Sequence, residues 1–365
     1  MPFIACVLCS VLSFAAVPAR SPIENAVFRQ AGTHVTIIGR GEDFGKSFAI
    51  SGDVLAVTDQ NTDDLYIYQL HGGAWKRAFS YHCNVGACGE VAISGGTVAL
   101  TLDDYGVTLF SVAQGRWALS GTVVGTSAEQ NANLGEAMAF NGSSLAVASD
   151  QTVYIFSKIG ADWDQVGSVP TPSGRGALSL ALSGRFLAVG DSLAGNGYGE
   201  VNIYAGSGGQ WTEAGTINHP GGQFGYEDFG TALTMSDNIL ATVGTDQNGG
   251  SKVFVYAYTN GSWYSIDQLQ PVSIPLSYAI VQPIALSGTT LAVVSNVLGN
   301  KKEPAGVSRV YIWQEHDLVY RIAEELTVPL PSDYLSGVAI SGHIVVTGMM
   351  SKDFIEPDGL CVLDW

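Results

Sequence analysis

Basic residues, long apolar runs and cysteines are all scarce in this chain. Sixteen Lys and Arg stand against 33 Asp and Glu across 365 residues, a formal charge of -17. No basic run exceeds the pairs Lys76-Arg77 and Lys301-Lys302. Such a field repels phosphate backbones, so no nucleic-acid partner is expected. Charged residues make up only 13 % of the chain, whereas hydrophobic residues reach 46 % and glycines number 45. That balance suits many short buried strands joined by tight turns and argues against long helices. The six histidines are scattered, and none stands beside a serine or cysteine in the manner of a nucleophile and its base.

The longest uncharged apolar run lies near the start, from Phe3 to Val17, and is followed by Pro18-Ala19-Arg20. It reads as a secretory signal over 1–19 with cleavage after Ala19, although the usual basic residue before the apolar core is missing. The run falls short of the roughly 20 residues of a membrane span, so a soluble secreted product is favoured over an anchored one. Two of the five cysteines, Cys6 and Cys9, would leave with the signal. Cys83 and Cys88 lie close enough to bridge in an oxidising compartment. The neighbouring His82 raises a zinc site as the alternative, but only three ligands are at hand. Cys361 is left unpaired within an apolar run and is expected to pack as a small hydrophobe.

Residues 20–33 read as a lead-in coil, and His34-Val35-Thr36-Ile37-Ile38 as a strand. From there the chain repeats itself. A turn mark recurs at Ser51-Gly52, Ser94-Gly95, Asn141-Gly142, Ser183-Gly184, Ser236-Asp237, Ser287-Gly288 and Ser341-Gly342, separated by 43, 47, 42, 53, 51 and 54 residues. Each mark lies between two short apolar runs, such as Val91-Ala92-Ile93 and Val98-Ala99-Leu100, as a two-residue hairpin turn would. Both runs are expected to be inner strands covered on both faces. A third run ends in an aromatic residue. Seven positions after Tyr68, Phe110, Phe156, Tyr204 and Tyr256 come Trp75, Trp117, Trp163, Trp211 and Trp263. A constant offset implies a constant hairpin, with the tryptophans packed between blades.

This spacing predicts an all-β fold, a seven-bladed β-propeller of four-stranded antiparallel blades occupying 34–365 as a single domain. The seventh copy stops after its third run, so the N-terminal strand is expected to supply its fourth and close the ring.

The pairs Phe44-Gly45, Phe229-Gly230 and Leu134-Gly135, together with Ala49-Ile50-Ser51-Gly52-Asp53 and Leu55-Ala56-Val57, resemble the FG-GAP repeat of integrin α-subunit propellers. The Gly-turn tryptophans, as in Gly72-Gly73-Ala74-Trp75, are similar to those of a Trp-containing repeat variant. The resemblance implies the propeller fold and a binding or adhesion role. It does not carry over the calcium loop such repeats place between their first two strands, because that connection here is only Ser-Gly-Asp or its like.

In a four-stranded blade, second-to-third and blade-to-blade connections share one face. Here that face carries the loops of varying length, which in a repeat protein marks the binding side. Acidic residues gather there, and the expected contacts are Glu42, Asp43, Tyr105, Tyr198, Tyr226, Glu227 and Asp228. Asp59, Asn61 and Asp63 have the one-three-five spacing of a calcium loop, but Asp64 replaces the turn glycine; calcium is the one cofactor suggested. Asn141 and Asn260 head sequons on the opposite face, where Asn-Gly is also ordinary hairpin chemistry. Gly190-Asp191-Ser192-Leu193 spells a lipase nucleophile motif, yet it follows a predicted second strand and lacks a late Asp-x-x-His. The reading is therefore a secreted, monomeric, non-catalytic binding module for an extracellular protein or polysaccharide. The alternative is an extracellular hydrolase or lyase with carboxylates near the central mouth.

Overall fold

The computed structural model describes residues 26–30, 33–38, 43–84, 87–102, 106–124, 134–160, 162–173, 179–207, 210–220, 229–245, 251–270, 283–297, 307–316, 319–327, 334–350 and 357–364. These residues form seven antiparallel blades in a ring. Blade 1 is Phe44–Ser51, Val54–Asp59, Asp64–His71 and Ala74–His82. Blade 2 is Cys88–Ser94, Thr97–Leu102, Gly106–Ala113 and Arg116–Val124. Blade 3 is Met138–Phe140, Ser144–Ala148, Thr152–Ile159 and Asp162–Pro170. Blade 4 is Ser179–Ser183, Phe186–Asp191, Glu200–Ser207 and Gln210–Asn218. Blade 5 is Leu233–Ser236, Ile239–Thr245, Ser251–Thr259 and Ser262–Leu269. Blade 6 is Ile284–Ser287, Thr290–Val297, Val307–His316 and Val319–Thr327.

Blade 7 takes three strands from the end of the chain, Tyr334–Ser341, Ile344–Met350 and Pro357–Asp364, and its fourth, Thr33–Ile38, from the beginning. His34 lies opposite Asp364 and Ile38 opposite Leu360. The ring thus closes as the repeat count requires. One expectation is corrected: 20–33 is not coil throughout, because Ala26–Gln30 forms a further strand that pairs with Thr33–Ile38. The closing strand would otherwise be an unpaired edge, and Val27-Phe28 supplies the β-favouring residues to cover it.

The second strands are buried almost end to end, Val54–Thr58 and Phe186–Asp191 throughout. The first strands differ from expectation. Several are partly exposed, as in Phe44–Ser51 and Leu233–Ser236, where one side lines the axial channel that all seven blades surround, whereas Met138–Phe140 is buried throughout. Among the described residues, three third-to-fourth hairpins share one turn. Gly72-Gly73, Gln114-Gly115 and Asn260-Gly261 all have positive φ at both turn positions, as a type I′ turn demands. In blades 1 to 6 the fourth strand also carries a bulge three residues after the Trp or Tyr, at Ala78, Ser120, Val166, Ala214, Ile266 and Ala323.

Three repeated contacts join the blades. Tryptophans of one blade pack on the preceding blade: a Cβ placed on Gly121 of blade 2 would lie 2.9 Å from Trp163 Cδ1 of blade 3, and one on Gly167 of blade 3 would lie 2.9 Å from Trp211 Cδ1 of blade 4. The turn serines form the second contact. Gly52 N–H donates to Ser341 Oγ (2.8 Å), Asp237 N–H to Ser183 Oγ (2.9 Å), Gly288 N–H to Ser236 Oγ (3.0 Å) and Gly342 N–H to Ser287 Oγ (3.4 Å), each from one blade to its predecessor.

The Phe-Gly pairs form the third. Phe229 bridges to Gly199, and Phe44 to Asp358, each just before or at the start of a third strand in the preceding blade. A side chain on Gly199 would collide with the Phe229 carbonyl, which explains why glycine stands there. Overpacking a junction of this kind costs about 1–3 kcal/mol. Gly121→Ala and Gly167→Ala should each destabilise the protein by that amount, read as a lower midpoint in urea unfolding with an unchanged slope.

Candidate functional site at the mouth of the channel

On the face of the variable loops, the axial channel opens into a cavity of about 250 Å³. Its walls come from the entries of innermost strands in blades 7, 1, 2 and 3: Ser336 and Gly337, then Lys46 to Phe48, then Gly89 and Glu90, then Gly135 and Glu136, with Gln60 beside them. Lys46 and Glu136 occupy one register, and Glu90 stands one residue on, in the place of Ser47: its N–H bonds Thr101 as the Ser47 N–H bonds Thr58. Each follows the glycine of a residue-Gly pair at the blade junction: Phe44-Gly45-Lys46, Cys88-Gly89-Glu90 and Leu134-Gly135-Glu136.

Glu90 is the most constrained of the three. Its N–H donates to Thr101 Oγ1 (2.7 Å), and its Oε2 accepts from the Met138 N–H of blade 3 (2.9 Å). Among the described residues its other oxygen has no hydrogen-bond partner. Burial raises its carboxyl from the ordinary 4.5 to about 7, opposed by the Met138 hydrogen bond and assisted by the nearby charge of Glu136. Glu136 is exposed, yet it too is raised, first by desolvation and then by Asp150 and Asp191. Ser47 Oγ accepts from Val91 N–H (3.0 Å), and Gln60 Nε2 donates to Cys88 O (3.3 Å), so both neighbours are fixed by blade 2. The Ser336 hydroxyl, on a residue 8 % exposed, is buried without a partner among the described residues.

Cys83 and Cys88 form a disulfide with a Cα–Cα distance of 5.7 Å. It clips the crossover from the outermost strand of blade 1 to the innermost strand of blade 2, immediately before Gly89-Glu90. Cys361 is free and fully buried, and its thiol is pushed up to about 12 by desolvation, which makes it a packing residue.

The residues singled out from sequence are placed less centrally. Asp43 sits at a left-handed position (φ 63) where its carbonyl accepts from Gln60 N–H (3.3 Å). Tyr198 lies in the second-to-third connection of blade 4, beyond the cavity wall. Glu42, Tyr105, Tyr226, Glu227 and Asp228 fall outside the described residues. Asp59 Oδ1 accepts from Asn61 N–H (3.1 Å) and Thr62 N–H (3.3 Å), a side-chain turn closed on itself. Asp63 has φ 52, and its carbonyl accepts from Cys83 N–H (2.7 Å). Among the described residues no group of three or more His, Cys, Asp or Glu is arranged to hold a metal ion.

Asn141 is engaged by its own turn and by blade 4: its Oδ1 accepts from Ser144 N–H (2.8 Å) and its Nδ2 donates to Gly184 O (3.3 Å). Asn260 occupies the first position of a type I′ turn. Ser192 of the Gly-Asp-Ser-Leu run is 5 % exposed, and Asp191 beside it accepts from Ser173 N–H and Leu193 N–H (2.8 Å each), which makes the run a loop anchor.

No family model matches the chain, and no curated protein is significantly similar to it. Solved structures match over most of their length. They include Sqt1 of Saccharomyces cerevisiae (TM-score 0.56, 11 % identity, 89 % of this chain and 87 % of that one). The WD40 domain of Toxoplasma gondii coronin is similar (0.53, 13 %, 93 % and 88 %). So is a putative 6-phosphogluconolactonase from Bacteroides uniformis (0.51, 13 %, 82 % and 93 %). At these identities the likeness shows the fold alone.

Glu90 links stability to pH. Its folded value lies above its unfolded one, so the folded state binds the extra proton between about pH 4.5 and 7, and stability falls as pH rises through that window. Glu90→Gln keeps an acceptor for Met138 N–H and removes the titration. The variant should match the wild type at about pH 4, where Glu90 is protonated in both states, and exceed it near pH 8, read from Tm across that range.

Proposed function

We propose that the chain is a secreted, non-catalytic binding module of the FG-GAP type, recognising an extracellular protein or polysaccharide through the loop face, with the channel mouth at its centre. One observation carries this reading: three successive blades present Lys46, Glu90 and Glu136 around one opening. Convergent polar groups in a concave site are the ordinary form of a recognition surface. The Cys83–Cys88 bridge supports an oxidising compartment. Among the described residues no helix is long and apolar enough to cross a membrane. The FG-GAP assignment is supported by the shared work of Phe44-Gly45 and Phe229-Gly230 at blade junctions.

A second reading rests on Glu90. A carboxyl raised to about 7 is a proton donor suited to neutral pH, and Glu136 supplies a second carboxylate, the pair a hydrolase or lyase would use. A binder and an enzyme part company over turnover: an enzyme consumes its ligand, and Glu90→Gln abolishes that consumption without abolishing binding.

The test is a glycan array together with a pull-down from extracellular material, run with the secreted chain and with a Lys46→Ala, Glu136→Ala double variant. Both side chains are exposed, so folding should be retained. Binding is expected to weaken by about tenfold or more, equivalent to about 1.4 kcal/mol. A ligand held equally well by the double variant would place recognition elsewhere.

A further inference from the structure

We propose that Asn260 is an N-glycosylation site and that Asn141, which heads the same sequon, is not: folded, secreted molecules carry one N-linked glycan, on the third-to-fourth turn of blade 5. This rests on the reading of the chain as secreted and goes beyond it by naming the modified atom, Asn260 Nδ2.

Both sequons read Asn-Gly-Ser, so sequence does not separate them. Their surroundings do. Asn141 lies in the first-to-second turn of blade 3, between the equivalent turns of blades 2 and 4. Its Oδ1 accepts from Ser143 N–H (3.1 Å), Ser143 Oγ (3.1 Å) and Ser144 N–H (2.8 Å), and its Nδ2 donates to Gly184 O of blade 4 (3.3 Å). On the other side, a Cβ placed on Gly142 would lie 3.0 Å from Ser94 Oγ of blade 2. Both ends of the Asn141 amide are therefore engaged, and the nitrogen that would bear the sugar already ties blade 3 to blade 4. A sugar ring there would have to enter a seam between blades, where added bulk is destabilising.

Asn260 differs at each of these points. Asn260, Gly261 and Ser262 are all exposed, and a Cβ placed on Gly261 would meet nothing within 4 Å. Among the described residues the Asn260 amide has no hydrogen-bond partner. The stem beneath the turn is nevertheless firm. Tyr258 and Trp263 pair across the two strands with ring centroids 5.5 Å apart, and Phe186 of blade 4 packs 4.6 and 5.4 Å from them.

In the transfer, Nδ2 bonds C1 of the first sugar, the C1–O bond to a lipid-linked diphosphate breaks, and one amide proton leaves with the diphosphate. Chains modified at Asn141 before folding would have to fit the sugar into the seam of blades 3 and 4, so they are lost from the folded pool. A glycan on Asn260 stands on the face opposite the channel mouth and leaves it clear.

The experiment is expression of the full chain in a eukaryotic secretory host, with medium and cell lysate analysed separately. Chain in the medium is expected to show a single mobility shift on treatment with peptide N-glycosidase, and peptide mapping to find the deamidation left by the enzyme at Asn260 and not at Asn141. Ser262→Ala, at an exposed position, and Asn260→Gly, which reproduces the Gly72-Gly73 turn of blade 1, should each abolish the shift. Ser143→Ala, which destroys the other sequon, should leave it unchanged. The proposal is overturned if chain in the medium carries no glycan, if Asn141 bears one, or if the shift survives Ser262→Ala. An unglycosylated chain in the medium removes the proposal and leaves secretion standing; an unglycosylated chain confined to the lysate removes both.

Discussion

The pairing of Thr33–Ile38 with Pro357–Asp364 is the constraint on which the rest of the molecule depends. A propeller blade cannot bury its own faces; it needs a neighbour on each side, and only a closed circle gives every blade two. Here closure joins residues from opposite ends of the chain, so the last blade is complete only when the first strand has arrived. The core around Phe44, Phe48 and Leu55 of blade 1 then includes Val346, Leu360 and Val362 of blade 7. Without that seam both would face water, as would Ile38, which is fully buried against them. Each side chain of this size contributes about 1.5–3 kcal/mol on burial, so the seam is worth as much as any other junction in the ring.

The same junctions that hold the ring also build the site. Phe44-Gly45 and Phe229-Gly230 enter blades 1 and 5 where the backbone comes against the preceding blade; at the entry to blade 5 the approach is close enough that only glycine fits at Gly199 and Gly190. In blades 1 to 3 the residue after the glycine is Lys46, Glu90 or Glu136, and all three line the channel mouth. The hydrogen bond from Met138 N–H of blade 3 to Glu90 of blade 2 makes the connection explicit, since a carboxylate lining the cavity is also a tie between blades. The disulfide reinforces the arrangement from outside by shortening the chain's freedom just before Gly89.

How much of this was legible follows from what repeats. The Ser-Gly marks gave the blade number because hairpin turns demand the same few residues each time, and the seven-residue offset to tryptophan gave the third-to-fourth hairpin for the same reason. The second job of those serines was invisible: Ser183, Ser236, Ser287 and Ser341 each accept a hydrogen bond from the next blade, across 52 to 55 residues for the first three and 289 for Ser341, which no local pattern encodes. The bulges after the tryptophans were hidden too, since a bulge is a mismatch between two strands and neither strand shows it alone.

Among site residues, emphasis fell on the acidic pairs before Phe-Gly, whereas the cavity is lined by the residue after it. The shared position of Lys46 and Glu136 was readable, five residues before the turn mark of each blade, whereas Glu90 stands four before its own, in the place of Ser47. The calcium spacing at Asp59 to Asp63 was real as a spacing, but Asp59 spends one oxygen on its own loop.

Glu90 is where fold and function pull against each other. Its structural task, accepting the Met138 N–H, would be done equally well by glutamine, which has no charge to desolvate. A carboxylate in that place makes the protein less stable at neutral pH than the neutral isostere would, by the sign of its raised titration. Packing therefore gives no reason for the ionisable group. Its side chain lines a cavity together with Glu136 and Lys46, where the proposed recognition would use it. Perturbed carboxyls concentrate where they meet a ligand, because only an interaction outside the fold offsets what the fold loses. A propeller is stiff enough to hold that group in place against its own solvation, since the atoms that fix it belong to two blades locked in a ring.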